Sequence, residues 1–344
     1  MPAPCPQETP PWFRPFYHTI AAISAPINIL GLYLVLYKFQ GISKYKYCIF
    51  YVQAAAFLTE IQMSVVSPAR FFFPLLAGFH TNELVAKITT NNHMLMTIWL
   101  FYLGNELPAI VWCFVFRHNA AEDMSGGQRM SRIVKKIALS TCQTFPLLVS
   151  GCFYMSHITR EEATEYLTNN YPQCLFWLDT TVFSIYDWRT NPWIAVTGIG
   201  AVVCVLVYFL YGFSLGVRTM LLLHKLRSHM SPATYRMHKT ALIGLTLQVI
   251  IPSVLLMLPV GICFWIVAFD LVEHQELATN STVLISFHSV TSTIVMIAAN
   301  PRYRGIVGGY FCKMCRYYNQ KTVTVEPSST NQRRSVIIHH GNEP

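Results

Sequence analysis

The chain has 344 residues, of which 53% are hydrophobic and only 12% charged. Soluble domains carry roughly twice that share of charge, so the composition excludes a soluble enzyme and points to one membrane domain with a short polar tail. The formal charge of +9 is spread between apolar runs and forms no known nucleic-acid motif, so nucleic acid is not an expected partner.

Seven apolar stretches follow in chain order: Tyr17–Tyr37, Tyr47–Ser67, Met94–Phe116, Ile137–Ser156, Trp193–Val217, Ala241–Phe269 and Ser281–Ala299. Each approaches or exceeds the ~20 residues that a helix needs to cross ~30 Å of hydrocarbon. A transmembrane barrel would need alternating segments of about half that length. The expected fold is therefore an all-α bundle of seven transmembrane helices. Residues 1–16 form a short outer segment, 17–315 the membrane domain, and 316–344 a polar, disordered inner tail.

Charge sets the expected orientation. With the amino terminus outside and the carboxyl terminus cytoplasmic, the inner segments hold 20 of the 25 Lys and Arg residues. The outer segments hold Arg14, Arg70, Lys87, Arg160 and Arg189, together with ten of the 16 acids. This is the positive-inside pattern, and basic inner loops suit anionic lipid and acidic partners. Residues 1–16 are Pro-rich and lack the pattern of a cleavable leader, so the first span is expected to direct its own insertion.

Further features lie along the chain. Prolines interrupt several spans; Pro252 and Pro259 both fall in the sixth, where each removes a backbone donor and favours a kink. The segment 68–79, PARFFFPLLAGF, is apolar but too short to cross. It is expected to extend the second helix or lie at the interface. The loop His157–Asn191 is long enough to cap a cavity. Asn280-Ser281-Thr282 is a glycosylation sequon, placed outside and close against the bilayer.

Cysteines take three settings. Six lie in or beside spans, as small apolar side chains. Cys5 and Cys174 both fall outside, where they can pair or stay free. Cys312 and Cys315 lie just past the last span and are either palmitoylation sites or reduced thiols. Without two further ligands they make no zinc site, and no metal or cofactor is expected.

Two acids lie inside spans, Glu60 and Glu106. Carboxyl groups at that depth are costly and mark functional candidates. No Lys or Arg shares their depth. Asn28, Gln53, Gln62, Asn105, Gln143, Gln248 and His288 are the polar neighbours available. Glu106 is the candidate ligand contact; a structural hydrogen bond between helices is the competing reading. No HExxH, GxSxG or His–Asp spacing is present, so no catalytic residue is expected. A transporter would show repeats and a channel a filter. Neither is seen, although a ligand-gated channel or transporter of small molecules stays the alternative class.

The inner end of the third span reads Cys113-Phe114-Val115-Phe116-Arg117-His118, and that of the seventh Asn300-Pro301-Arg302-Tyr303-Arg304. With these come Pro26-Ile27-Asn28, Gly31 and Tyr33, then Phe73-Pro74-Leu75 with Ala77-Gly78-Phe79, and Leu247-Gln248 with Ile251-Pro252. In this order the chain resembles a nematode-type serpentine chemoreceptor of the Str superfamily, closest to class I and then class H.

The resemblance implies a seven-helix G-protein-coupled receptor in the plasma membrane, in the cilia of sensory neurons. It implies olfaction-like sensory perception: a small-molecule ligand, signal transduction through a heterotrimeric G protein, and no enzyme activity. It places Arg117 and His118 at the coupling end of the third helix, and Asn300, Pro301 and Tyr303 in the switch of the seventh. The tyrosine here follows the proline by two residues rather than three. The outer end of the third span, Asn91-Asn92-His93-Met94, lacks the usual cysteine, which leaves Cys5–Cys174 as the available outer bridge.

Overall fold

Backbone amides in hydrocarbon have no water to bond, so long apolar runs close their hydrogen bonds internally as helices. The computed structural model describes residues 5, 9–39, 44–89, 91–125, 132–180 and 182–323, apart from the side chains at 83, 132–139, 141, 311 and 314–323. Its spanning helices are α1 (Phe13–Tyr37), α2 (Tyr45–Ile61, continued as one π turn to Val66), α4 (Asn92–Ser125), α5 (Arg132–Tyr154), α7 (Trp193–Lys225), α8 (Pro232–Ala268) and α10 (His288–Ala299). Among the described residues, six are long and apolar enough to cross a membrane, the last counted over Val272–Ala299. The remaining one, α5, is 23 residues long and packs along α4 and α7. All seven expected spans are therefore helices.

Helix α4 is the hub, packed against α2, α5 and α7, while α8 packs chiefly on α10 and α1 packs on both α2 and α10. Glycines stand at close approaches between helices. A Cβ at Gly31 would stand 2.5 Å from Thr293 Cγ2, and one at Gly104 3.2 Å from the Pro146 Cα. Small residues let helix backbones approach within lipid, where the hydrophobic effect does not drive helices together. Pro26, Pro108, Pro146, Pro252 and Pro259 all sit inside continuous helices.

Sequence patterning misplaced two regions. Residues 68–79 do not extend the second helix, which ends at Val66. They supply β1 (Ala69–Phe71) and β2 (Ala77–His80), an antiparallel pair with Ala69 opposite His80. A third strand, β3 (Phe183–Ile185), joins β2 from over a hundred residues away, giving the order β1-β2-β3. A short helix, α3 (Glu83–Ile88), follows β2. The sheet, the short helix α6 (Arg160–Asn170) and a 3₁₀ turn over Pro172–Asp179 build a cap at one end of the bundle. The seventh span also does not begin as an α-helix at Ser281. It is entered through α9 (Gln275–Ser281) and a 3₁₀ segment, Thr282–Phe287.

The cap has its own apolar core. Phe72, Leu75, Phe79, Ile158, Leu167 and Trp177 are buried together, with Trp177 ring centroids 5.2 Å from Phe72 and 4.6 Å from Phe79. A disulfide between Cys5 and Cys174, Cα atoms 5.6 Å apart, is buried in the same cluster. Helix α6 starts in a capping box. Thr159 accepts from the Glu162 amide, while the Glu162 carboxylate accepts from the Thr159 amide at 2.7 Å. Those bonds and the first-turn position hold the exposed Glu162 carboxyl below the usual carboxylate range.

The chain divides into two units, Met1–Asn300 and Pro301–Pro344. In the second, α11 (Pro301–Val323) is helical past residue 316, where the tail was expected to begin. Residues 324–344 lie outside the described residues.

Candidate functional site

Polar side chains are concentrated where α1, α2 and α10 meet. Glu60 on α2 is buried, and both of its carboxyl oxygens are held from α1. The Ser24 hydroxyl donates to one, and Asn28 Nδ2 donates to the other at 3.0 Å. Ser24 and Asn28 are four residues apart and so share a helix face. The Thr293 hydroxyl on α10 faces Asn28 Oδ1 at 2.6 Å and Gln53 Oε1 at 2.7 Å, and Gln53 Nε2 donates to Ser292 Oγ at 3.1 Å. The chain of contacts closes the three helices around a carboxyl group that lipid would otherwise penalise.

Glu106 on α4 meets His288 at the start of α10, with His288 Nε2 3.0 Å from Glu106 Oε1. The other ring nitrogen, Nδ1, lies 2.5 Å from the Ile285 carbonyl oxygen. A carbonyl only accepts, so Nδ1 carries a proton. The Nε2–Oε1 contact then holds one proton, either as imidazolium on carboxylate or as carboxylic acid on neutral imidazole. His288 is 2% exposed and Glu106 15%. Glu106 Oε2 makes no hydrogen bond among the described residues.

Counting along α4 toward its carboxyl end, Ile110, Cys113 and Arg117 follow Glu106 at i+4, i+7 and i+11, on one face. Ile110 and Cys113 line a small cavity between α4, α2 and α8, closed by Val52, Leu245 and Gln248. The Gln248 Nε2 in its wall has no partner among the described residues.

Arg117 lies below, about 17 Å from Glu106 at 1.5 Å per residue. It is buried, with its guanidinium 3.8 Å above the Tyr45 ring of α2, a cation–π contact. Its Nε has no hydrogen-bond partner among the described residues, and the buried His238 of α8 lies within electrostatic reach. His118 reaches the Thr219 hydroxyl of α7 at 3.1 Å and the Glu122 carboxylate at 3.1 Å. This end of α4 therefore touches α2 and α7 through two adjacent residues, with α8 within electrostatic reach.

The other expected residues fall as follows. Pro252 and Pro259 are buried in α8. Asn300 closes α10 in an extended conformation, φ −100° and ψ 109°, and Pro301 opens α11 with Tyr303 in its first turn. Asn280 is exposed on α9, while Thr282 of its sequon is buried and donates to the Thr279 carbonyl at 2.7 Å. Cys312 is exposed, and the Cys315 side chain lies outside the described residues.

The partners were harder to see than the carboxyl groups. Ser24, Ser292 and Thr293 carry no sequence signal, because a hydroxyl in a span usually bonds its own helix, as Thr59 does to the Ala55 carbonyl at 2.9 Å. Tyr45 and Tyr186 went equally unmarked. Tyr186 links the cap to α4 through its hydroxyl, 3.0 Å from His93 Nδ1, while His93 Nε2 lies 3.0 Å from the Tyr154 carbonyl oxygen.

No individual curated protein matches the chain. A family model does, over residues 3–307, which takes in every spanning helix described above. Its description is serpentine type 7TM GPCR chemoreceptor Sri. A multi-pass membrane bundle, capped at one end and carrying carboxyl groups at its centre, is thus matched along nearly its whole length, and the chain belongs to the serpentine 7TM GPCR chemoreceptor family Sri.

Proposed function

We propose that this receptor binds a small environmental molecule beside Glu106 and relays binding along α4 to a heterotrimeric G protein at the Arg117 end. The observation that carries this reading is the face of α4 shared by Glu106, the cavity-lining Ile110 and Cys113, and Arg117. A ligand that contacts Glu106 differently in two bundle packings shifts the balance between them. The cavity between α4, α2 and α8 leaves room for repacking in that path. At the far end, freeing Arg117 from Tyr45 would expose a guanidinium, flanked by the basic segments 117–136 and 218–239. Their Lys and Arg content supports a cytoplasmic face for this end and an extracellular cap. The site of action is the plasma membrane, in sensory cilia. Pro252 and Pro259 give α8 places to bend, with Asn300, Pro301 and Tyr303 at the junction after α10. Cys312 and Cys315 are palmitoyl acceptors, and Asn280 a glycan acceptor.

Arg117→Ala tests the reading. Ligand-evoked nucleotide exchange on the G protein is expected to disappear while surface expression persists. Undiminished exchange would remove Arg117 from the relay. Ligand-evoked current or substrate uptake in cells lacking heterotrimeric G proteins would replace the receptor reading altogether.

A further inference from the structure

The two carboxyl groups in the bundle differ in what they have left to offer. Glu60 has donors on both oxygens and is 2% exposed. Glu106 has one oxygen engaged by His288, one without a hydrogen bond among the described residues, and a side chain 15% exposed beside a nearly sealed imidazole. Of the pair, the carboxyl group is therefore the more accessible member and the imidazole the sealed one.

The charges around that oxygen are unequal. His288 sits between two acids, within electrostatic reach of both Glu106 and Glu60. Two carboxyl groups thus face one imidazole, and no Lys or Arg pairs with either among the described residues. The one imidazole offsets at most one of the two carboxyl charges, so an added anion would meet no uncompensated positive charge in a medium that screens it poorly. A cation with N–H donors would meet an acceptor oxygen and no opposing positive charge, and a charged donor binds such an acceptor more strongly than a neutral one.

The apolar part of such a molecule also has a place. Tyr102 and Trp99 lie four and seven residues before Glu106, on the same face toward the cap. Trp99 packs on a cluster of Phe13, Tyr17, Met63 and Ile285. The rings offer stacking and cation–π surface about 6 and 10 Å along the helix axis from Glu106, at 1.5 Å per residue.

We propose that Glu106 Oε2 is the recognition point for a small lipophilic amine, bound as its ammonium ion, with the hydrocarbon part against the Trp99 cluster. This rests on the receptor reading and assigns the chemical class of its ligand.

The test uses the full-length receptor in cells, with nucleotide exchange as readout and three matched probe sets: n-butyl-, n-hexyl- and phenethylamine, the corresponding alcohols, and the corresponding carboxylic acids. The amines should change exchange and the acids should not, with the alcohols weaker by roughly ten- to a hundredfold in half-maximal concentration. Glu106→Gln, nearly the same shape without the charge, should cost the amines a similar factor and spare the alcohols. Glu106→Asp should keep the amine preference at reduced sensitivity, which a merely structural carboxyl group would not.

An alcohol or acid response without an amine response overturns the assignment and leaves the receptor reading standing. So does an amine response unchanged by Glu106→Gln at equal surface expression, or silence toward every probe in a receptor that keeps basal exchange. Absence of exchange under every condition, basal included, counts against the receptor reading and this proposal alike.

Discussion

The cap and the bundle interior are built on opposite principles. In the cap, apolar side chains point inward: Phe72, Leu75, Phe79 and Trp177 are buried together. Where α1, α2 and α10 meet, the buried side chains include Ser24, Asn28, Gln53, Glu60, Ser292 and Thr293, while Ile199, Val203, Leu206, Leu210 and Phe213 of α7 face outward. Water drives the first arrangement, because removing apolar surface from it is favourable. Lipid is as apolar as leucine and gives no such drive, so helices in it hold together by close packing and hydrogen bonds. The contrast locates the energy of each region in different side chains.

The largest effect is expected in the cap. Phe72 is fully buried against Trp177 and Phe79. Phe72→Ala should lower its stability by about 3–5 kcal/mol, as large-to-small changes do in water-driven cores. Hydrogen exchange confined to residues 69–80 and 158–185 would register it. Equal loosening of α1 and α10 would break the separation between the two regions.

In the bundle, Thr293→Val keeps the shape and removes the hydroxyl that faces Asn28 and Gln53. Intramembrane hydrogen bonds are individually modest, so a loss of about 0.5–2 kcal/mol is expected, read from thermal unfolding in detergent. No loss would mean that packing around Gly31, not the polar network, joins α1 to α10.

The smallest effect is one of pH. His80 in β2 is 2% exposed, and neither ring nitrogen has a partner among the described residues. Burial pushes its imidazole below the ordinary value of 6.5. The folded cap thus takes up the proton less readily than the unfolded chain. The neutral ring's contribution is whole above pH 6.5 and is drawn down as the pH falls toward the lowered folded value. Cap melting followed from pH 8 to pH 5 should decline at the acid end, and His80→Phe should flatten that decline. An identical decline in the variant would assign it to other groups.

The same contrast explains what could be read from sequence. The spans were legible because lipid imposes a length and an apolar composition on each helix separately. Glu60 and Glu106 were legible because a carboxyl group is conspicuous in such a run. The cap was not, since its strands have three or four residues and β3 reaches β2 only through the tertiary fold. Residues 68–79 are apolar because they fill the core of the cap, a role that helical patterning after α2 does not reveal. The partner of Glu106 was legible only as one of seven polar neighbours. The 3₁₀ segment before His288 sets its direction, and no helical periodicity crosses that segment.

The disulfide between Cys5 and Cys174, 169 residues apart, turns the first half of the receptor into a closed covalent loop. Four of the spanning helices, α1, α2, α4 and α5, lie within it, and the other three hang outside. A protease that nicks a turn anywhere inside the loop therefore leaves one covalent molecule until a reductant opens it, whereas a nick beyond Cys174 leaves two pieces joined only by helix packing.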